Sequence, residues 1–237
     1  PRPEDFFEAT DAPRTKIALE VGDAMEEIMN AFQRAQTHLE DILVKEAAAR
    51  REAKRSWAAF FSFVSPHFLL RAPQDFYNLY ADADFDLEPQ QLPDHPEIRN
   101  LARFFDYERH FTAETRHAAM AGYFGLTSFL DDCVGEILAT LEESGQAEDT
   151  VILYLSDHGE LLGDKGMWTK QVMYEASAGI PMILAGPGVP DGIVRNTAAS
   201  IVDVAATALD VMLDTSDDSA PGLSLRQLAQ DPDDADR

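Results

Sequence analysis

The chain has 237 residues, 45% of them apolar, and its 43 acidic side chains against 19 Lys and Arg leave a formal charge of -24. A surface this acidic repels phosphate backbones and anionic headgroups, so neither nucleic acid nor a membrane is an expected partner. No run of about 18 apolar residues offers a membrane-spanning helix, yet the apolar share suffices for the core of one large or two small α/β units.

Residues 1–18 are polar and acidic, without the apolar stretch of a secretory leader. The single cysteine, Cys133, excludes an internal disulfide framework, and a cytoplasmic location is expected over secretion. From 19 to 55, Met25, Ile28, Met29 and Phe32 recur at helical spacing, and the run closes on the basic KEAAARREAKR. Residues 1–56 therefore read as a helical N-terminal segment. The stretch 57–65, WAAFFSFVS, reads as a buried strand that delivers Pro66-His67 at its end. Residues 68–100 are rich in proline and aspartate and read as a long loop with little regular structure.

A long amphipathic helix is predicted over 113–143. Tyr123, Leu126, Phe129, Leu130, Cys133, Val134, Ile137, Leu138 and Leu141 line one face, and Gly145 supplies the stop. Cys133 is then a small core residue rather than a nucleophile. Strands are predicted over 150–155 and 180–185, the second bounded by GPGVPDG, and a helix over 201–213 with Asp203 near its start. Residues 57–226 thus read as an α/β core, a mostly parallel sheet flanked by helices, and 227–237 as an acidic disordered tail.

The chemistry concentrates in Ser156-Asp157-His158-Gly159-Glu160. A strand runs directly into this stretch, and open α/β sheets bind ligands at the carboxyl ends of their strands. Asp157 is a hard oxygen ligand and His158 a borderline nitrogen ligand, together suited to a divalent cation, although two ligands fall short of a calcium shell of about six to eight. His67 also follows a strand and can open on the same edge. A lysine brought back there would bind an anionic tetrahedral group, and spacing alone does not choose between Lys165 and Lys170. His95, His110 and His117 have no partners in the sequence and read as ordinary.

These segments together resemble the sulfatase family of the alkaline phosphatase superfamily, on its choline-sulfatase and phosphonate monoester hydrolase side. The resemblance rests on SWAAFFSFVSPHFLLRAPQDFYNLY, on the block from AAMAGYFGL through SDHGELLGDKGMWTK and YEASAGIP to GPGV, and on NTAASIVDVAATALDVM followed by PGLSL. It implies that Asp157 and His158 ligate a metal, calcium first with manganese or magnesium as alternatives. It implies that His67 and Lys170 contact a sulfate monoester, and that Glu175 supports them from behind. The family's nucleophile comes from a C-x-P-S-R motif, which this chain lacks along with the paired aspartates that precede it. The expectation is an incomplete alkaline phosphatase-like core, inactive by itself, with a second copy or a missing N-terminal half as its partner. Two alternatives stand beside it: hydrolysis of phosphodiesters or phosphonate monoesters, and a non-catalytic binding remnant.

Overall fold

The computed structural model describes Glu52 and residues 56–85, 94–213 and 221–231. Apart from Glu52, the helix expected over 19–55 lies outside the described residues, as does most of the acidic tail. The elements are α1 (Gln74–Asn78), α2 (Pro96–Phe104), α3 (Ala113–Glu143), β1 (Ile152–Leu155), α4 (Glu175–Ala178), β2 (Met182–Ala185), α5 (Val202–Leu213) and α6 (Leu225–Gln230).

The backbone of the arrangement is α3, and the sequence sets both its ends. Thr112 and Thr115 cap its start reciprocally: the Thr115 amide donates to Thr112 Oγ1 and the Thr112 amide to Thr115 Oγ1. Its last turn ends where Gly145 adopts a left-handed φ of 69°. Ala121, Gly122, Gly125, Leu126, Phe129, Leu130, Cys133 and Leu141 form the buried stripe. A Cβ at Gly122 would collide with the Leu70 carbonyl oxygen, and one at Gly125 would sit 2.7 Å from Ala72 Cβ. These two glycines let the chain from Leu70 through α1 lie directly on the helix. Phe76 of α1 then meets Phe129 edge to face, and the Tyr80 hydroxyl pairs with Ser128 at 2.7 Å.

Two expectations change here, and a third is met only in part. The segment 57–65 is not a strand: among the described residues it joins no ladder, and its Val64 carbonyl instead accepts the His67 amide at 2.9 Å. It still packs: Trp57 and Phe61 join Ile137 and Ile152 around Leu141, and Trp57 Nε1 donates to Gln146 Oε1. The loop expected over 68–100 contains α1 and the start of α2. The latter is capped by the His95 ring, which accepts the Glu97 amide, and has Pro96 in its first turn.

The third concerns the sheet. Among the described residues β1 and β2 pair antiparallel, Ile152 opposite Ala185 and Leu155 opposite Met182, where a mostly parallel sheet was expected. A parallel pair needs a crossover that runs back along the strands. The connection here contains only a short turn of 3₁₀ helix and the four-residue α4, so the chain loops out beyond Leu155 and returns at the same end.

At the C-terminal side, α5 and α6 are tied together by polar groups. Asp203, 1% exposed, accepts the Ser200 amide on Oδ2 and the Leu223 amide on Oδ1. Arg226 grips Asp210 through Nε at 3.0 Å and Nη2 at 2.6 Å, and this guanidinium, with Ser224, holds the Asp210 carboxyl below the usual carboxylate range. The tail boundary expected after 226 therefore falls inside α6.

Candidate active site

Just past β1 the chain turns tightly. Ser156 Oγ donates to the His158 carbonyl at 2.9 Å, and His158 Nδ1 donates to the Gly159 carbonyl at 2.7 Å. A carbonyl only accepts, so Nδ1 carries the ring proton and the lone pair is left on Nε2. That nitrogen stands 3.7 Å from Asp157 Oδ1, on a side chain that is 83% exposed. Gly159 is pressed against α4: its amide donates to the Ser177 carbonyl, and any Cβ there would strike the Ala176 carbonyl.

His67 also comes to this turn. Its Nδ1 donates to the Phe68 carbonyl at 2.8 Å, which leaves Nε2 free to accept. The Lys170 ammonium, a donor only, makes that hydrogen bond across 103 positions of sequence. The His67 and His158 rings meet edge to face at 5.7 Å. The four residues His67, Asp157, His158 and Lys170 are thus brought together.

Two other candidates go elsewhere. Lys165 binds Asp164 at 2.8 Å and lies over the Tyr174 ring, so the structure separates the two lysines that spacing left open. Glu175 is exposed and folds over Gly179. Among the described residues no hydrogen bond or ion pair joins it to the cluster.

The loop that carries Lys170 is closed on itself. The Leu161 amide donates to the Thr169 carbonyl and the Gly163 amide to the Met167 carbonyl. Leu162, Lys165 and Thr169 adopt φ of 48°, 54° and 71°. Left-handed conformations cost an L-residue about 1–2 kcal/mol each. Glu160, which carried no separate role in the sequence reading, offsets part of this: its Oε1 accepts both the Leu162 amide at 3.0 Å and the Thr169 amide at 2.6 Å. An acid directly after Asp157-His158-Gly159, at the mouth of a glycine-containing loop, was the available signal. Behind the loop, Met167 and Trp168 are buried. The indole stacks on Phe111 at 4.0 Å and donates to Glu108, which pairs with Arg116.

Cys133 is buried on α3, and burial, with Glu136 and Asp132 nearby, pushes its thiol up to about 12. It stays protonated and takes no part in the cluster. No group of three or more metal-ligating side chains occurs among the described residues. Asp157 and His158 nevertheless fit two positions of one cation: an oxygen and a nitrogen donor 3.7 Å apart, with the imidazole held by its other nitrogen in the ligating tautomer.

The family model described as Sulfatase matches residues 10–215. A choline-sulfatase of Rhizobium meliloti (strain 1021) is 35% identical over 166 residues, 68% of this chain and 32% of that protein. An arylsulfatase of Clostridium perfringens (strain 13 / Type A) is 29% identical over 196 residues, 77% of this chain and 39% of that protein. Among solved structures, the phosphonate monoester hydrolase SpPMH from Silicibacter pomeroyi superposes with a TM-score of 0.70 at 29% identity, covering 85% of this chain and 42% of the other. The chain therefore spans 32% and 39% of the length of these two curated relatives, well under half of each.

Proposed function

The chain belongs to the sulfatase family, and on that premise we propose that His67, Asp157, His158 and Lys170 are its share of a metal-dependent site for hydrolysing sulfate monoesters. The contact of Lys170 with His67 carries this reading. In a chain of net charge -24, an anionic ester needs a local cation to approach, and this cluster provides one with an imidazole beside it.

In the proposed reaction the bond between sulfur and the alcohol oxygen breaks, and both electrons stay on that oxygen. An oxygen nucleophile replaces it on sulfur, so that ester and water yield alcohol and hydrogen sulfate. The Lys170 ammonium neutralises charge on the sulfate and, with His67, holds a proton within reach of the departing oxygen. Asp157 and His158 would hold a divalent cation, calcium first with manganese or magnesium as alternatives, which would supply further neutralisation of the sulfate oxygens. In this proposal every side chain of the cluster is engaged as cation, proton holder or metal ligand, and none is left to serve as the nucleophile. We therefore propose that the chain binds sulfate without turning it over, unless a second copy or a further segment completes the site. In the same proposal β1 and β2 are part of a larger, mostly parallel sheet whose other strands come from outside the described residues.

The likeness to a phosphonate monoester hydrolase favours a second reading, in which the same four residues receive a tetrahedral phosphorus ester. Calorimetric titration of the 237-residue chain tests both. Asp157→Ala is expected to abolish calcium binding, and Lys170→Ala to weaken inorganic sulfate by about tenfold or more. Unchanged titrations in both variants would sink the site. Tighter binding of methylphosphonate than of sulfate would give the lead to the second reading.

A further inference from the structure

We infer that Glu160 is the positioning residue for Lys170: it holds the loop 161–169 closed so that the ammonium reaches His67. The inference rests on the reading of Lys170 as the cation that receives the sulfate group. Both backbone polar groups of Thr169, the residue just before Lys170, are fixed. Its carbonyl accepts from Leu161 and its amide donates to Glu160 Oε1 at 2.6 Å. The second amide on that oxygen comes from Leu162, at the other end of the same loop. One carboxylate oxygen thus pins two residues that both hold left-handed φ, and Thr169 is β-branched, the type least suited to that conformation. Without this acceptor Thr169 is released towards an ordinary negative φ, and the direction in which the chain delivers Lys170 turns away from His67.

Because a single oxygen accepts both bonds, the device requires an acceptor at this position and not a charge. Glutamine retains that oxygen; alanine does not. The test is nitrogen-15 NMR of the full chain labelled at histidine, with the His67 Nε2 resonance assigned by His67→Gln and its Lys170 contact defined by the shift that Lys170→Ala produces. Glu160→Ala is expected to move the resonance to the Lys170→Ala value while the circular dichroism stays native. Glu160→Gln is expected to leave it at the wild-type value. A wild-type resonance in Glu160→Ala would overturn the inference, and so would a displaced one in Glu160→Gln. Should Glu160→Ala fail to fold, amide exchange in the wild-type chain decides. Slow exchange at Thr169 supports the inference, and exchange at the unprotected rate overturns it. Sulfate titration of wild type against Lys170→Ala reports separately on the functional reading, since an affinity indifferent to Lys170 would defeat that reading while leaving the NMR result intact.

Discussion

Glu160 and Asp203 perform the same local operation in two regions of the molecule: each carboxylate accepts two backbone amides that lie on different stretches of chain. Asp203 uses both oxygens, one for Ser200 and one for Leu223, and is sealed at 1% exposure between α5 and the approach to α6. Glu160 uses one oxygen for both of its amides and stands beside an exposed turn. Burial of Tyr123, and next the charge of Glu160, pushes that phenol above its ordinary value. The first arrangement fastens a scaffold. The second holds a strained loop in the one shape that is useful to the cluster.

Replacing each carboxylate by its own amide sharpens the contrast most. Asp203→Asn turns an N–H towards a buried amide, so chemical denaturation is expected to show a loss of about 2–4 kcal/mol. Glu160→Gln, which retains its accepting oxygen, is expected to change stability by less than about 0.5 kcal/mol. Equal losses would erase the distinction between scaffold and loop.

Next in size is the pair that closes α6 on α5. Arg226→Ala leaves Asp210 without its guanidinium and is expected to cost about 1.5–3 kcal/mol. The Asp210 carboxyl titrates lower in the folded chain than in the unfolded one, so its contribution is complete above the ordinary carboxylate range near pH 4 and is lost as pH falls through the lowered folded value. Acid denaturation curves of wild type and Arg226→Ala should therefore converge only below that lowered folded value. Smaller still is the effect of Lys165→Ala, whose ammonium belongs to Asp164 and Tyr174: sulfate affinity should change by less than about twofold. Last, Cys133 should resist thiol reagents at pH 8–9 until the chain unfolds, because its thiol is pushed up to about 12.

How far the sequence could be read varied with the range of the interactions involved. The periodicity of α3 gave its limits at Ala113 and Glu143, and β1, β2 and α5 fall inside the stretches predicted for them. These are local patterns. Helix α2 was also locally written, in His95-Pro96-Glu97 followed by Ile98 and Leu101, but the prolines around it masked the signal. The antiparallel pairing of β1 with β2 and the choice of Lys170 over Lys165 depend on how an irregular connection folds back, which no periodicity records. Asp157 and His158 were legible because they are adjacent and follow a strand. Their meeting with His67 depends on Gly122 and Gly125 seating the chain from Leu70 onwards on α3. Glu175 was named for its closeness in sequence, and at the start of α4 its side chain folds over Gly179.

The seat of Trp168 has an optical consequence. The chain has two tryptophans, and this one is stacked on Phe111, bonded to Glu108 and placed two positions before Lys170. With Trp57 replaced by phenylalanine, the remaining indole emits from within the loop itself. Opening of that loop would then register as a red shift of intrinsic fluorescence, on any timescale a stopped-flow instrument resolves, with no dye attached.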